Sequence, residues 1–352
     1  MKRIFTKVYA WALLIVLVMR LLILFALSWS NLDRMIEVVV GISTAIVLVP
    51  AFHELGHVLF AAINKMRIVY CKCFCMRYYV KNGKGKVGFV NPFTPDETQV
   101  LPTGGENMQS RAYAYAIGGL VSSGIIFLIL AAACTLLFAV GAQNYTLYAW
   151  LAYAAYIFLL NVIPTEYASG KTDALVARGI SKGEAVEQTM LNVMRIQGEL
   201  QTGKTYAEIE EEYYFSAPQI AENEPMYVAI LDARFSYYLE KEDYEKAFDC
   251  LKRIKAAGEY LTDEEVLCLE KNLAYLCLLG GNDEVLKTAA KNDEEYWKSE
   301  DVVIKRTLAL YMHKCGEEER ADLLISEARE LLKQSISFGQ AKHEELLLSR
   351  IK

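Results

Sequence analysis

The stretch IEVVVGISTAIVLVPAFHELGHVLFAAI, residues 36–63, is apolar over a length sufficient to cross about 30 Å of hydrocarbon at about 1.5 Å per residue. Towards its end it carries His53-Glu54-Leu55-Gly56-His57, an H-E-x-x-H motif. On a helix, residues four apart share one face, so the two imidazoles can bind one zinc ion at about 2.0–2.1 Å each. Glu54 beside them is placed to take a proton from a water activated by that metal. Ionisable groups inside or at the rim of a membrane span are costly and are functional by default. The chain has only four histidines, and this motif holds two of them.

Working outward, three further apolar segments have spanning length: Val8–Trp29, Ala112–Val140 and Tyr145–Ile163. No charged residue occurs between Ala112 and Thr165, and Gly141-Ala142-Gln143-Asn144 reads as the turn between two antiparallel spans. The first segment follows Lys2, Arg3 and Lys7, but it is too long for a cleaved signal peptide and contains Arg20, so it reads as a retained anchor. Arg20 either pairs within the bundle or snorkels to an interface. Tyr113, Tyr115, Tyr145, Tyr148 and Trp150 sit near span ends, as an aromatic belt would.

Charge divides the chain. Residues 1–173 carry 14 Lys+Arg against 8 Asp+Glu, and residues 174–352 carry 23 against 35. A basic apolar half followed by an acidic half predicts a membrane domain joined to a soluble one. Basic residues concentrate at the N-terminus and in the 64–110 loop (Lys65, Arg67, Lys72, Arg77, Lys81, Lys84, Lys86). The positive-inside rule therefore puts the N-terminus, that loop and the C-terminal half in the cytoplasm of a multi-pass cell-membrane protein. The basic residues are explained by topology, and no nucleic-acid site is expected. The eight cysteines read as reduced thiols rather than a disulfide framework.

A catalytic zinc needs a third protein ligand. The fourth span ends on the motif's side of the bilayer, in Asn161-Val162-Ile163-Pro164-Thr165-Glu166-Tyr167-Ala168-Ser169-Gly170-Lys171-Thr172-Asp173-Ala174. Pro164 and Gly170 break the helix and let the chain fold back, so that either Glu166 or Asp173 can reach the metal.

H-E-L-G-H on a membrane helix, followed after two spans by N-x-x-P and an aspartate, resembles the site-2 protease family of intramembrane zinc metalloproteases. The resemblance covers roughly residues 36–180. It implies His53, His57 and Asp173 as zinc ligands, with Glu166 as the fallback, and Glu54 as the group that activates water. It matches Asn161 and Pro164 to family positions, here assigned to substrate positioning. Ala116-Ile117-Gly118-Gly119-Leu120-Val121-Ser122 looks like the family's small-residue stretch in the intervening span. The chain departs from the family in Asp173-Ala174 for Asp-Gly, in a longer spacing from Asn161 to the aspartate, and in Gly119 where many members have proline. The implied activity is cleavage of a protein substrate in or near a transmembrane segment.

Within the 64–110 loop, Ile68–Val80 is rich in β-formers, and Gly83-Lys84-Gly85 provides a turn before Lys86–Val90, so a hairpin is expected there. A scissile peptide must be extended, and a strand edge beside the metal can hold it by β-augmentation. Cys71, Cys73 and Cys75 alternate and so would share one strand face, a weak metal or redox signal.

Residues 183–352 are helical by periodicity. Tyr227–Lys241 pairs with Asp243–Ala256, Glu264–Leu279 with Asp283–Lys291, and Asp301–Cys315 with Glu317–Lys333, in a layout like a tetratricopeptide array. The expected fold is therefore mainly α. A transmembrane bundle of about four spans with a small membrane-associated sheet (residues 1–180) leads through a helical linker (181–225) to a soluble solenoid-like domain (226–352). That last domain would offer a surface to a cytoplasmic protein partner. The competing readings are a membrane-anchored adaptor without catalysis and, more weakly because the spans show no repeated halves, a transporter.

Overall fold

The computed structural model describes residues 2–351 except 82–83, 93, 95, 168–169, 259–260, 262, 282–299 and 336. Among these the chain forms thirteen helices and six short strands. It divides into two compact units, 1–101 with 107–187, and 102–106 with 188–352.

In the first unit four helices are long and apolar enough to cross a membrane: α1 (Lys2–Ser28), α2 (Leu32–Ile63), α3 (Met108–Ala139) and α4 (Tyr145–Val162). Large apolar side chains such as Trp11, Ile15, Leu22, Val39, Leu128, Leu136 and Phe138 are exposed on them, as a lipid-facing surface requires. Polar side chains instead join helix to helix. Glu37 of α2 accepts from the Tyr145 amide at 2.9 Å, Thr146 donates to the Glu37 carbonyl at 2.9 Å, and the Trp150 indole donates to Thr44 at 2.9 Å. Asn144 caps α4 by accepting from the Leu147 amide, directly after Gly141 at φ +71°, so the expected turn is present. Tyr113 and Tyr115 lie in the early turns of α3 and Tyr145, Tyr148 and Trp150 in those of α4, near span ends as expected, and the hydroxyl of Tyr115 and the indole of Trp150 also find hydrogen-bond partners within the unit. Arg20 lies exposed on α1.

Helices α2 and α3 meet where both lack side chains. A Cβ on Gly56 would lie 2.3 Å from the Gly118 carbonyl oxygen, and one on Gly118 would lie 2.7 Å from the Gly56 oxygen. Ser122 reinforces the crossing by donating to the Phe52 carbonyl at 2.6 Å. Close backbone approach at small residues is how apolar helices associate when lipid offers no hydrophobic drive.

Between α2 and α3 lies a four-stranded sheet in the order β3-β2-β1-β4. Its strands are β1 (Met66–Cys73), β2 (Met76–Lys81), β3 (Lys84–Phe89) and β4 (Glu97–Pro102). The expected single strand over 68–80 is two antiparallel strands, with Cys73 opposite Met76 and a two-residue turn at Phe74-Cys75. Phe74 takes φ 52°, a conformation that its side chain does not advertise, and its amide donates to Asp96 Oδ1 at 2.7 Å. Cys75 therefore leaves the strand and does not share a face with Cys71 and Cys73. Burial raises the Cys71 thiol and, with Asp96 nearby, pushes Cys73 up to about 12. Strand β4 was not foreseen.

Asp96 also pairs with Lys72, whose ammonium is buried and donates to Asp96 at 2.9 Å and to the Thr94 carbonyl at 2.7 Å. This pair ties the segment leading into β4 onto the β1–β2 hairpin. Asp96→Ala strands a buried cation, and we expect a loss of about 3 kcal/mol or more. The readout is a lower melting temperature together with faster limited proteolysis within 66–102; unchanged protection there contradicts the assignment.

After α4, β5 (Glu166–Tyr167) pairs with β6 (Gly170–Lys171) and leads into α5 (Asp173–Lys182) and α6 (Ala185–Thr202). In the second unit α7 (Glu211–Phe215), α8 (Pro225–Glu240), α9 (Tyr244–Ala256), α10 (Asp263–Leu279), α11 (Val302–Lys314), α12 (Glu318–Leu332) and α13 (Phe338–Ser349) follow, with successive helices from α8 to α13 packed on one another. The expected helix over Asp283–Lys291 lies outside the described residues. A tyrosine-rich core of Tyr206, Tyr214, Tyr237 and Ile230 holds the start of this unit. Buried Glu240 receives the Tyr206 and Ala207 amides and pairs with His343 at 2.6 Å. Burial acts to raise its pKa, but the pairing with His343 and the amide bonds outweigh it and hold the carboxyl below its ordinary range.

Candidate metal centre

His53 and His57 stand one turn apart on α2, on the face that meets α3. Their rings lie edge to face, with centroids 5.1 Å apart. Asp173 arrives from the far end of the unit's sequence. Thr172 makes that return possible: its hydroxyl donates to the Ile163 carbonyl at 3.0 Å, its oxygen receives the Thr165 amide at 3.1 Å, and its amide donates to the Thr165 carbonyl at 3.0 Å. The β5–β6 ribbon is thus an excursion closed at its base by Thr165 and Thr172. This is the physical form of the long spacing between Asn161 and Asp173. Thr172 also caps α5 by accepting from the Leu175 amide, which leaves Asp173 in the first turn. Lys171 pairs with buried Glu187 at 2.7 Å and anchors the same segment.

Asp173 Oδ2 lies 3.3 Å from His53 Nε2 and 3.4 Å from His57 Nε2. Two ligand atoms bound at about 2.05 Å with a tetrahedral angle between them would be separated by about 3.3 Å. The observed spacing is therefore that of an edge of a small tetrahedral site. Asp173 Oδ2 is buried and makes no hydrogen bond, an orphan that a cation would satisfy. Among the described residues, these three are the group of His, Cys, Asp and Glu side chains able to hold a metal ion. Glu166 is exposed on β5 and is not in that group, and the alternating cysteines are not brought together as one.

Each imidazole has its second nitrogen engaged. His57 Nδ1 lies 2.9 Å from the Tyr115 carbonyl, which can only accept, so Nδ1 carries a proton, and in the neutral ring the lone pair is at Nε2. His53 Nδ1 lies 2.8 Å from the hydroxyl of buried Ser123, which sets the same tautomer when that oxygen accepts. The space in front of both Nε2 atoms exists because residue 119 is glycine. A Cβ there would sit 2.4 Å from His57 Nε2 and 2.7 Å from His53 Nε2.

Glu54 is buried beside the ligands and accepts a hydrogen bond from Thr98 of β4 at 2.5 Å. The Tyr115 hydroxyl in turn donates to the Thr98 carbonyl. Asn161 donates to the Ile157 carbonyl of its own helix at 3.1 Å, and Pro164 is exposed just beyond the helix end.

Sequence reasoning did not single out Thr98, Tyr115, Ser123 or Thr172 for roles here. Ser123 directly follows the small-residue stretch, the nearest signal there was. Nothing in the residues around Thr98 marks it. Comparison with protein-family models, curated proteins and solved structures gives no match to this chain.

Proposed function

We propose that this protein is an intramembrane zinc metalloendopeptidase that hydrolyses a peptide bond in or near a transmembrane segment of a protein substrate. The observation that carries the reading is the approach of one buried carboxylate oxygen of Asp173 to within 3.3 and 3.4 Å of the two imidazole Nε2 atoms on α2, a helix of membrane-spanning character. Two nitrogens and one oxygen, with room left by Gly119, form the donor set of a hydrolytic zinc site with an open position. When bound, zinc supplies Lewis acidity that brings the pKa of a water to about 7.

Glu54 is the proton carrier. Its Oε2 is occupied by Thr98, so Oε1 takes the water proton and delivers it to the departing amine nitrogen as the C–N bond breaks and a C–O bond forms. Strand β4, an edge of the sheet, runs past this carboxylate. We place the unwound substrate along that edge by β-augmentation, with Asn161 and Pro164 bordering it. The topology we adopt puts the N-terminus, the sheet and the second unit on the cytoplasmic side, and the helices of the second unit stack as a solenoid that receives a protein partner.

The test uses the full chain in detergent or nanodiscs. About one zinc per chain is expected, removable by chelator, and cleavage of a single-span reporter should stop on removal and return on zinc addition. A chain that holds no zinc is instead the membrane-anchored adaptor.

A further inference from the structure

We infer that Thr98 is a positioning residue for Glu54, and that its hydroxyl makes the β-sheet a working part of the reaction centre. The inference rests on the proteolytic reading for its kinetic consequence, but not for its geometry.

A carboxylate on a helix surface has several rotamers. The one present here brings Oε2 against the Thr98 hydroxyl. Within its own helix the residues that share a face with Glu54, three and four positions away, are Pro50, Ala51, His57 and Val58, and among the described hydrogen bonds the one that fixes its carboxylate comes from Thr98 instead. The selecting contact comes from 44 residues later, where Thr98 donates to Oε2 at 2.5 Å. A threonine hydroxyl has one proton, so this bond leaves Oε1 without competition from it. Among the described residues the other polar atom against that hydroxyl is Cys71 Sγ at 3.6 Å, a much weaker contact.

Thr98 is itself held. Tyr115 donates its hydroxyl to the Thr98 carbonyl, while its own carbonyl receives the proton of His57 Nδ1 and its ring packs against His57 at 5.2 Å between centroids. One residue of α3 thus fixes both the metal-facing imidazole and the strand that aims the base. The Lys72–Asp96 pair secures the same strand just before its first residue. Ligand and base are registered to each other through Tyr115 and Thr98, not through α2 alone.

Thr98→Val keeps the shape and removes the proton donor, whereas Thr98→Ser restores it. On the purified full chain, the carboxylate infrared band assigned to Glu54 by subtraction of the Glu54→Gln spectrum should shift in Thr98→Val and return in Thr98→Ser. Zinc content should be unchanged in both. With the single-span reporter, Thr98→Val should lower kcat by about ten- to a hundredfold, the value of a hydrogen bond to a charged group, with KM little altered and Thr98→Ser close to wild type. A Glu54 band that is the same in Thr98→Val overturns the inference, as does a wild-type kcat in that variant while Glu54→Gln is dead. If the band shifts as expected but wild type and Glu54→Gln leave the reporter equally intact, the proteolytic reading fails and the positioning contact stands.

Discussion

Glu54→Gln should leave a protein that folds, binds zinc as wild type does and cleaves nothing measurable. General base catalysis contributes about 10²–10⁴ in rate, and here the same group also hands the proton to the leaving nitrogen, so a loss of at least about a thousandfold is expected. The structure makes this substitution clean. The glutamine carboxamide has the same shape, and its oxygen can still accept the Thr98 hydroxyl, so strand β4 keeps its anchor. Glu54 is not among the three converging ligand atoms, so the metal keeps its full protein set. The measurement pairs zinc stoichiometry with fragment production from the reporter and, across whole membranes, with proteomics that looks for substrates accumulating in the variant. Cleavage by the glutamine variant at the wild-type rate would remove Glu54 from the mechanism altogether.

Gly119→Ala should severely weaken zinc binding with every ligand residue left in the sequence. The added methyl carbon would lie 2.4 and 2.7 Å from the two imidazole nitrogens that face the metal, distances no carbon sustains. Relief requires either that the rings tilt or that α3 withdraws. Withdrawal is resisted one residue away, where Gly118 and Gly56 already touch backbone to backbone. Tilting moves Nε2 by far more than the roughly 0.2 Å that a metal bond tolerates. We expect affinity to fall by at least about a hundredfold, read by chelator competition. Alanine favours a helix over glycine by about 1 kcal/mol, so failure of α3 to form is not a competing explanation, and circular dichroism would confirm its helicity. Wild-type zinc affinity in this variant would mean that the rings do not point at a shared metal.

The motif on α2 was legible because a helix repeats its geometry: a spacing of four puts His53 and His57 on one face wherever the helix goes. The four long helices were legible for a similarly local reason, their unbroken apolar length. What was not legible depended on chain reversal. By spacing alone Asp173 and Glu166 looked equivalent, and only the family resemblance favoured Asp173; the Thr165–Thr172 closure puts Glu166 on the outward excursion and Asp173 at its return. The strand break at Phe74-Cys75 was hidden because a phenylalanine adopts a conformation usually left to glycine or asparagine, helped by a carboxylate more than twenty positions ahead. Thr98 and Tyr115 belong to the same category. Thr98 looked like an ordinary loop residue and Tyr115 like a membrane-interface one, and the role of each comes from a partner that no spacing rule connects to it.

The seam at Gly56 and Gly118 also limits traffic. With main chain against main chain, α2 and α3 have no side-chain layer to part, so a membrane-embedded polypeptide cannot slip between them to reach the imidazoles. For a membrane-embedded substrate of the proposed protease this seam offers no gap, so delivery is expected from another flank of the bundle.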